Sequence, residues 1–189
     1  MRVITKDELK QEKTKFLRLF KKSIFIYPTD TIYGIGCNAK EGLLVNKIRD
    51  IKNRVDQPFS VIAPSKAWIL DNCIVDKHGK QYLRKLPGPY TLVLKLKKKN
   101  CISKSINAKR DTLGVRIPKH WFSNIVAQLK IPIVTTSVNK SGEEFMTSLE
   151  DLDPGIKRSV DFIIYEGVKR GKPSTIVRLD EYIAQIDKR

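Results

Sequence analysis

Apolar residues recur along this chain in two rhythms, one helical and one of short unbroken runs. Leu9, Phe16, Leu17 and Phe20 mark one helix face behind Thr5-Lys6-Asp7-Glu8, a capping box whose end residues satisfy each other's backbone N–H groups. Ile24 to Ile26 predicts a strand, stopped by Pro28, which has no N–H for a ladder. A second helix is predicted from Lys40 to Lys52, with Asn38 as N-cap, Glu41 reaching back, and Leu44, Ile48 and Ile51 as its buried stripe. Phe59 to Ala63 reads as a strand, and two short helices fill Ser65 to Leu86, the first capped by Ser65. Pro87-Gly88-Pro89 breaks the chain before strands at Tyr90 to Leu96 and Thr112 to Ile117. A helix follows from His120 to Leu129, then a buried strand from Ile131 to Thr136. The last third predicts a short helix after Ser148 and strands at Asp161 to Tyr165 and Ser174 to Leu179. This interleaving predicts an α/β fold with a twisted, mostly mixed sheet and flanking helices. Strict alternation fails between Tyr90 and Ile117, which argues against a purely parallel, doubly wound sheet.

A chain of 189 residues that is 41% apolar can bury one full core, so residues 1–189 are expected to form a single domain. The sequence has no run of eighteen apolar residues, and Met1 to Lys22 lacks the apolar segment of a signal peptide. A cytoplasmic location without membrane contact is the expectation. Cys37, Cys73 and Cys101 are odd in number and form no CxxC pair, so they read as free thiols. With His78 and His120 as the two histidines, neither a histidine metal site nor a Ser-His-Asp triad is expected. Charge changes the picture most. Thirty-seven Lys and Arg against twenty Asp and Glu give +17, which favours polyanionic partners such as RNA or nucleotide phosphates.

Two polar stretches sit at strand ends: Tyr27-Pro28-Thr29-Asp30-Thr31-Ile32-Tyr33-Gly34-Ile35-Gly36, read as a strand-to-helix connection, and Ser137-Val138-Asn139-Lys140-Ser141-Gly142. Such connections carry ligands in open α/β sheets. No GxxxxGK[ST] phosphate loop is present, and Gly34-Ile35-Gly36 lacks the third glycine of a dinucleotide fingerprint. Candidate chemistry rests on Thr29, Thr31, Lys52, Arg54, Arg116, Ser137, Asn139 and Ser174. Read singly, each is better explained as a solvated loop residue. Together they offer charge-assisted donors and neutral orienting groups, which suits nucleotidyl transfer driven by positioning and charge neutralisation.

Six blocks in order resemble the YrdC-like family of threonylcarbamoyl-AMP synthases. They are Tyr27 to Gly34, the Lys52-x-Arg54 pair, Pro87-Gly88-Pro89-Tyr90-Thr91-Leu92, Gly114-Val115-Arg116-Ile117-Pro118, Ser137 to Gly142, and Ser174-Thr175-Ile176-Val177. The resemblance implies a YrdC-like fold with a cationic concave face. It also implies an enzyme that joins L-threonine, bicarbonate and ATP into threonylcarbamoyl-adenylate. A downstream transferase would then pass the threonylcarbamoyl group to the adenosine beside the tRNA anticodon. By position, Lys52, Arg54, Ser137 and Asn139 would form the catalytic tetrad, and Lys52, Arg54, Gln57, Thr112, Asn139 and Thr147 would address ATP. Thr31, Arg116, Ser137 and Ser174 would address threonine, and Mg2+ would arrive with the triphosphate, without protein metal ligands. Gln57 stands where many members carry Lys or Asn, and Ile62 near a position that is histidine in some. No counterpart of the longer members' C-terminal domain is expected, which would leave Arg189 as the candidate for a closing arginine. Two other readings keep different chemistry: a carbamoyl-adenylate enzyme of the same fold, and a non-catalytic module that contacts tRNA or double-stranded RNA through its charge.

Overall fold

The capping box forms as the sequence predicts. In the computed structural model, which describes residues 1–181 and 185–187, Thr5 Oγ1 accepts the Glu8 N–H at 3.2 Å and Glu8 Oε2 accepts the Thr5 N–H at 2.7 Å. These bonds open helix α1 (Lys6–Gln11), which breaks at Glu12 before α2 (Lys13–Leu19), so the single expected helix is two. Leu9, Phe16 and Phe20 are buried. With Phe25, Tyr27, Phe122 and Phe162 they build an aromatic-rich hydrophobic cluster on one face of the sheet.

The remaining elements are β1 (Arg2–Ile4), β2 (Phe25–Tyr27), β3 (Gly34–Gly36), α3 (Gly42–Ile51), β4 (Ser60–Ile62), α4 (Lys66–Asn72), α5 (Lys77–Arg84), β5 (Tyr90–Lys95), β6 (Thr112–Arg116), α6 (Phe122–Leu129), β7 (Ile133–Ser137), α7 (Pro154–Ser159), β8 (Phe162–Ile164), β9 (Thr175–Arg178) and β10 (Gln185–Asp187). Their strands form one mixed sheet in the order β1-β8-β2-β3-β7-β4-β6-β5-β9-β10. Two short edge strands, β1 and β10, escape the sequence pattern. No described helix is long and apolar enough to cross a membrane, and Cys37, Cys73 and Cys101 are all buried and free. Arg189 lies outside the described residues.

The stretch from Tyr27 to Gly36 corrects the sequence reading. It is a hairpin between antiparallel β2 and β3, not a strand-to-helix connection. Gly36 lies so close to the Val134 carbonyl that a Cβ would collide with it, and the Tyr27 ring fills the space beside both Gly34 and Gly36. Asn38 is not a helix cap either. Its backbone bridges Ile133 while its Oδ1 accepts the Lys40 N–H at 3.1 Å, a local turn that delays α3 until after Glu41. Val45 and Ile48 are the buried residues of α3, with Leu44 and Ile51 packed at the margin. The helix expected after Ser148 starts only at Pro154. Asp151 first closes a turn with the Thr147 and Ser148 N–H groups, and Asp153 then caps the Ile156 N–H at 2.9 Å.

Alternation in β6 positions the site. Leu113 and Val115 enter the main core, which leaves Thr112, Gly114 and Arg116 on the opposite, concave face. Strand register lines Thr135, Ser60, Gly114, Val93 and Arg178 into one row across β7, β4, β6, β5 and β9.

Candidate active site

That row is the floor of a cavity of about 580 Å³. Gly114 keeps it open: a Cβ there would run into Ser60 Oγ. Arg54, Lys109, Arg110, Arg116 and Arg178 line the cavity, against one lining carboxylate, Asp56. In a partly desolvated hollow such an imbalance attracts anions.

One end is built around Arg116, which is 5% exposed. Its Nη2 donates to Asp30 Oδ1 at 2.7 Å and to Thr31 Oγ1 at 3.3 Å. Asp30 also accepts the Lys119 N–H at 2.8 Å, so the carboxylate anchors the hairpin loop to the end of β6. Thr29 Oγ1 donates to the Ile32 carbonyl at 2.7 Å and accepts the Thr31 N–H at 3.1 Å, an internal brace for that loop. A strap from β8 to β9 holds it from above. The Tyr33 hydroxyl donates to the Gly167 carbonyl at 2.7 Å, the Lys169 ammonium to the Thr29 carbonyl at 3.0 Å, and Gly171 rests on the Thr31 carbonyl where no side chain would fit. Burial pushes the Tyr33 phenol up to about 12, so it remains a neutral donor. The strap then delivers Ser174, whose hydroxyl meets that of Thr91 at 2.8 Å.

The other end is built around α3 and the loop after β7. Lys52 is 2% exposed. Its ammonium donates to the Ser137 carbonyl at 2.6 Å, the Asn139 carbonyl at 2.5 Å and Asn139 Oδ1 at 3.0 Å, while the Ser141 N–H donates back to the Lys52 carbonyl at 2.9 Å. Burial first, and the neighbouring Arg54 second, push Lys52 down to about 7. Ser137 Oγ donates to Asn139 Oδ1 at 2.6 Å, and Asn139 Nδ2 to the Glu143 carbonyl at 2.6 Å. Arg54 lies 5.0 Å from the centre of the Phe59 ring, with bonds to the Pro58 carbonyl at 2.7 Å and Thr136 Oγ1 at 3.3 Å.

Arg54, Gln57, Thr112, Arg116, Ser137 and Ser174 therefore share one cavity wall. Lys52, Asn139 and Thr31 stand one layer back, each bonded to a lining residue or its loop. Thr147 is not on the wall; its hydroxyl donates to Asp151 Oδ2 at 2.6 Å. Sequence reasoning missed Asp30 as the partner of Arg116, and Lys109, Arg110 and Arg178 as wall residues. The alternation of β9 places Arg178 in register with Val93, but only strand pairing shows which face that is. Among the described residues no group of three or more His, Cys, Asp or Glu could hold a metal ion.

Comparison with known proteins agrees with this architecture. The Sua5/YciO/YrdC family model, described as "Telomere recombination", matches residues 18–186. A Methanocaldococcus jannaschii protein named "Putative threonylcarbamoyl-AMP synthase" is 36% identical over 180 residues, covering 90% of this chain and 84% of that protein. The structure of P. abyssi Sua5 complexed with L-threonine superposes with a TM-score of 0.85 at 26% identity over 98% of this chain. This chain spans 56% of that Sua5 chain. E. coli YciO shares the fold with a TM-score of 0.83 at 22% identity, covering 100% of this chain and 94% of YciO. The chain belongs to the Sua5/YciO/YrdC family.

Proposed function

We propose that this protein is a threonylcarbamoyl-AMP synthase that uses L-threonine, bicarbonate and ATP. The observation that carries the reading is the separation of two cationic ends on one floor: Arg116 with Thr31 and Ser174 at one, Arg54 with Thr112 and Ser137 at the other. Threonine would be held through its carboxylate by Arg116. Its amine adds to the carbon of bicarbonate-derived carbon dioxide and loses a proton, which forms a carbamate. A carbamate oxygen then bonds to the α-phosphorus while the bond to the bridging oxygen of pyrophosphate breaks, and pyrophosphate leaves. Both reactants are anions, so preorganised cations lower the barrier by offsetting charge where they meet.

Lys52 serves this chemistry from behind the wall. Its three N–H bonds fix the Ser137 to Asn139 loop, so Ser137 and Arg54 present a set geometry to the phosphates. The residues present fit a Mg2+ ion carried by the triphosphate rather than one caged by protein, since Asp56 is the lone carboxylate on the wall. The product, a mixed anhydride, calls for an acceptor enzyme; a tRNA threonylcarbamoyl transferase is the expected consumer, and the net charge suits direct contact with tRNA. Pyrophosphate release tests the reading. It should require ATP, threonine and bicarbonate together, and Arg54→Ala should slow it by about 10²–10³-fold. Release that ignores threonine, from folded protein, overturns it.

A further inference from the structure

Arg49 is absent from the cavity wall and from every residue set considered above, yet its guanidinium is the most heavily bonded side chain near the nucleotide end. It projects from the last turn of α3, one turn before Lys52. Nε and Nη2 donate to the Ser105 carbonyl at 3.0 and 2.8 Å, and Nη2 also reaches the Ile106 carbonyl at 3.2 Å. Nη1 donates to the carbonyls of Arg54, Val55 and Gln57 at 3.2, 3.2 and 3.0 Å. The same group lies 4.6 Å from the centre of the Phe59 ring, which Arg54 also contacts. One planar cation thus gathers carbonyls from two segments that are distant in sequence. The first segment carries Arg54, Asp56 and Gln57 to the wall; the second leads directly into Asn107, Lys109 and Arg110.

Other ties also join these segments. The Phe59 N–H donates to the Ile106 carbonyl at 3.0 Å, a single backbone bond. Lys109 and Asp56 pair at 2.8 Å, but both side chains are mostly exposed, and such pairs contribute little. The half-buried fork of Arg49 is left to define the gap. Five N–H donors in a fixed plane can satisfy carbonyls on both sides at once, whereas a lysine ammonium has three donors at one point.

We propose that Arg49 is a positioning residue for the nucleotide: it sets the spacing between the two cationic segments, so that Arg54 on one and Lys109 and Arg110 on the other engage the same polyphosphate. This rests on the proposed synthase reading for the identity of the ligand. It assigns Arg49 no contact with substrate and no influence on the Arg116 end, which is built from other segments.

The test compares Arg49→Lys and Arg49→Gln with the parent protein in three measurements. These are calorimetric affinity for the non-hydrolysable α,β-methylene analogue of ATP with Mg2+, calorimetric affinity for L-threonine, and amide exchange at Arg54 and Phe59. Both variants should lose at least about tenfold in nucleotide affinity, or ~1.4 kcal/mol, with threonine affinity held within about twofold and both amides exchanging faster. Arg49→Lys keeps the charge and loses the fork, and it decides the matter should Arg49→Gln fail to fold. Parental nucleotide affinity in Arg49→Lys overturns the proposal, because charge alone would then suffice. Threonine affinity that falls in step with nucleotide affinity also overturns it, because the effect would be general loosening. None of the three readouts needs turnover. A parent protein that binds the nucleotide analogue yet makes no threonylcarbamoyl-adenylate would overturn the synthase reading and leave the role of Arg49 intact.

Discussion

Replacing Lys52 with Met removes a buried ammonium from beneath the Ser137 to Asn139 loop, and the consequence should depend on pH in a direction fixed by the structure. Lys52 is held near 7 rather than its ordinary 10.5, by burial and then by Arg54. Below about pH 7 both the folded and unfolded chains keep the proton, and folding carries the full cost of an ammonium taken out of water. The shift places that cost on the order of 5 kcal/mol at ~1.36 kcal/mol per unit. Between about pH 7 and 10.5 the unfolded chain binds the proton that the folded chain has released, so stability rises with pH by up to ~1.4 kcal/mol per unit. Met carries no such cost, but it removes one donor from each of three acceptors: Asn139 Oδ1 keeps the Ser137 hydroxyl and the Ser137 carbonyl keeps the Asn139 N–H, while the Asn139 carbonyl loses its Lys52 bond outright. Each abandoned acceptor costs ~1–3 kcal/mol. At neutral pH the two effects oppose each other, and the variant should fold. From pH 7 to 9 the parent should gain ~2–3 kcal/mol over Lys52→Met. Nucleotide affinity should move the other way in the parent, since a neutral amine has two N–H groups for three acceptors. Urea unfolding of both proteins from pH 6 to 9 measures the difference directly. Parallel stability curves across that range would refute the reasoning.

Two further outcomes follow from the same geometry. Asp30→Ala removes the carboxylate partner of the Arg116 guanidinium, which it now meets at 2.7 Å with both side chains about nine-tenths buried. Unfolding should become easier by ~3–5 kcal/mol, and saturating threonine should narrow the gap as its carboxylate replaces the lost one; thermal unfolding with and without threonine reads both. Gly114→Ala drives a methyl into Ser60 Oγ, which should cost ~1–3 kcal/mol and obstruct the cavity floor, and adding Ser60→Gly should restore both stability and threonine affinity.

The parts of the fold that the sequence discloses are those that local physics decides. A capping box, a proline stop and an apolar run each carry their own signal, and α1, β2, β4 and β6 appear where those signals stand. The hairpin at Tyr27 to Gly36 reads as a strand-to-helix connection because Asn38 to Glu41 resembles a helix start, whereas its two glycines let β3 lie against the Tyr27 ring and the Val134 carbonyl. Asn38 has good N-cap chemistry but is claimed by a bridge to Ile133, a partner ninety-five residues away in sequence. The edge strands β1 and β10 are mostly exposed, so no buried apolar run marks them. For the site, residue types and order pointed to Arg54, Arg116, Ser137 and Ser174, and these share the cavity. Asp30 and Arg49 stayed hidden because each matters through a partner that only folding supplies: a guanidinium eighty-six residues on for Asp30, and carbonyls, which no side-chain pattern records, for Arg49.

Isotopic tracing of the product tests the central claim, that two anionic reactants meet on the floor between Arg116 and Arg54, most directly. With ATP, L-threonine and carbon-13 bicarbonate, mass spectrometry should find a threonylcarbamoyl-adenylate that carries the labelled carbon, formed one for one with pyrophosphate. An unlabelled product, or adenylate formed without threonine, would contradict the account.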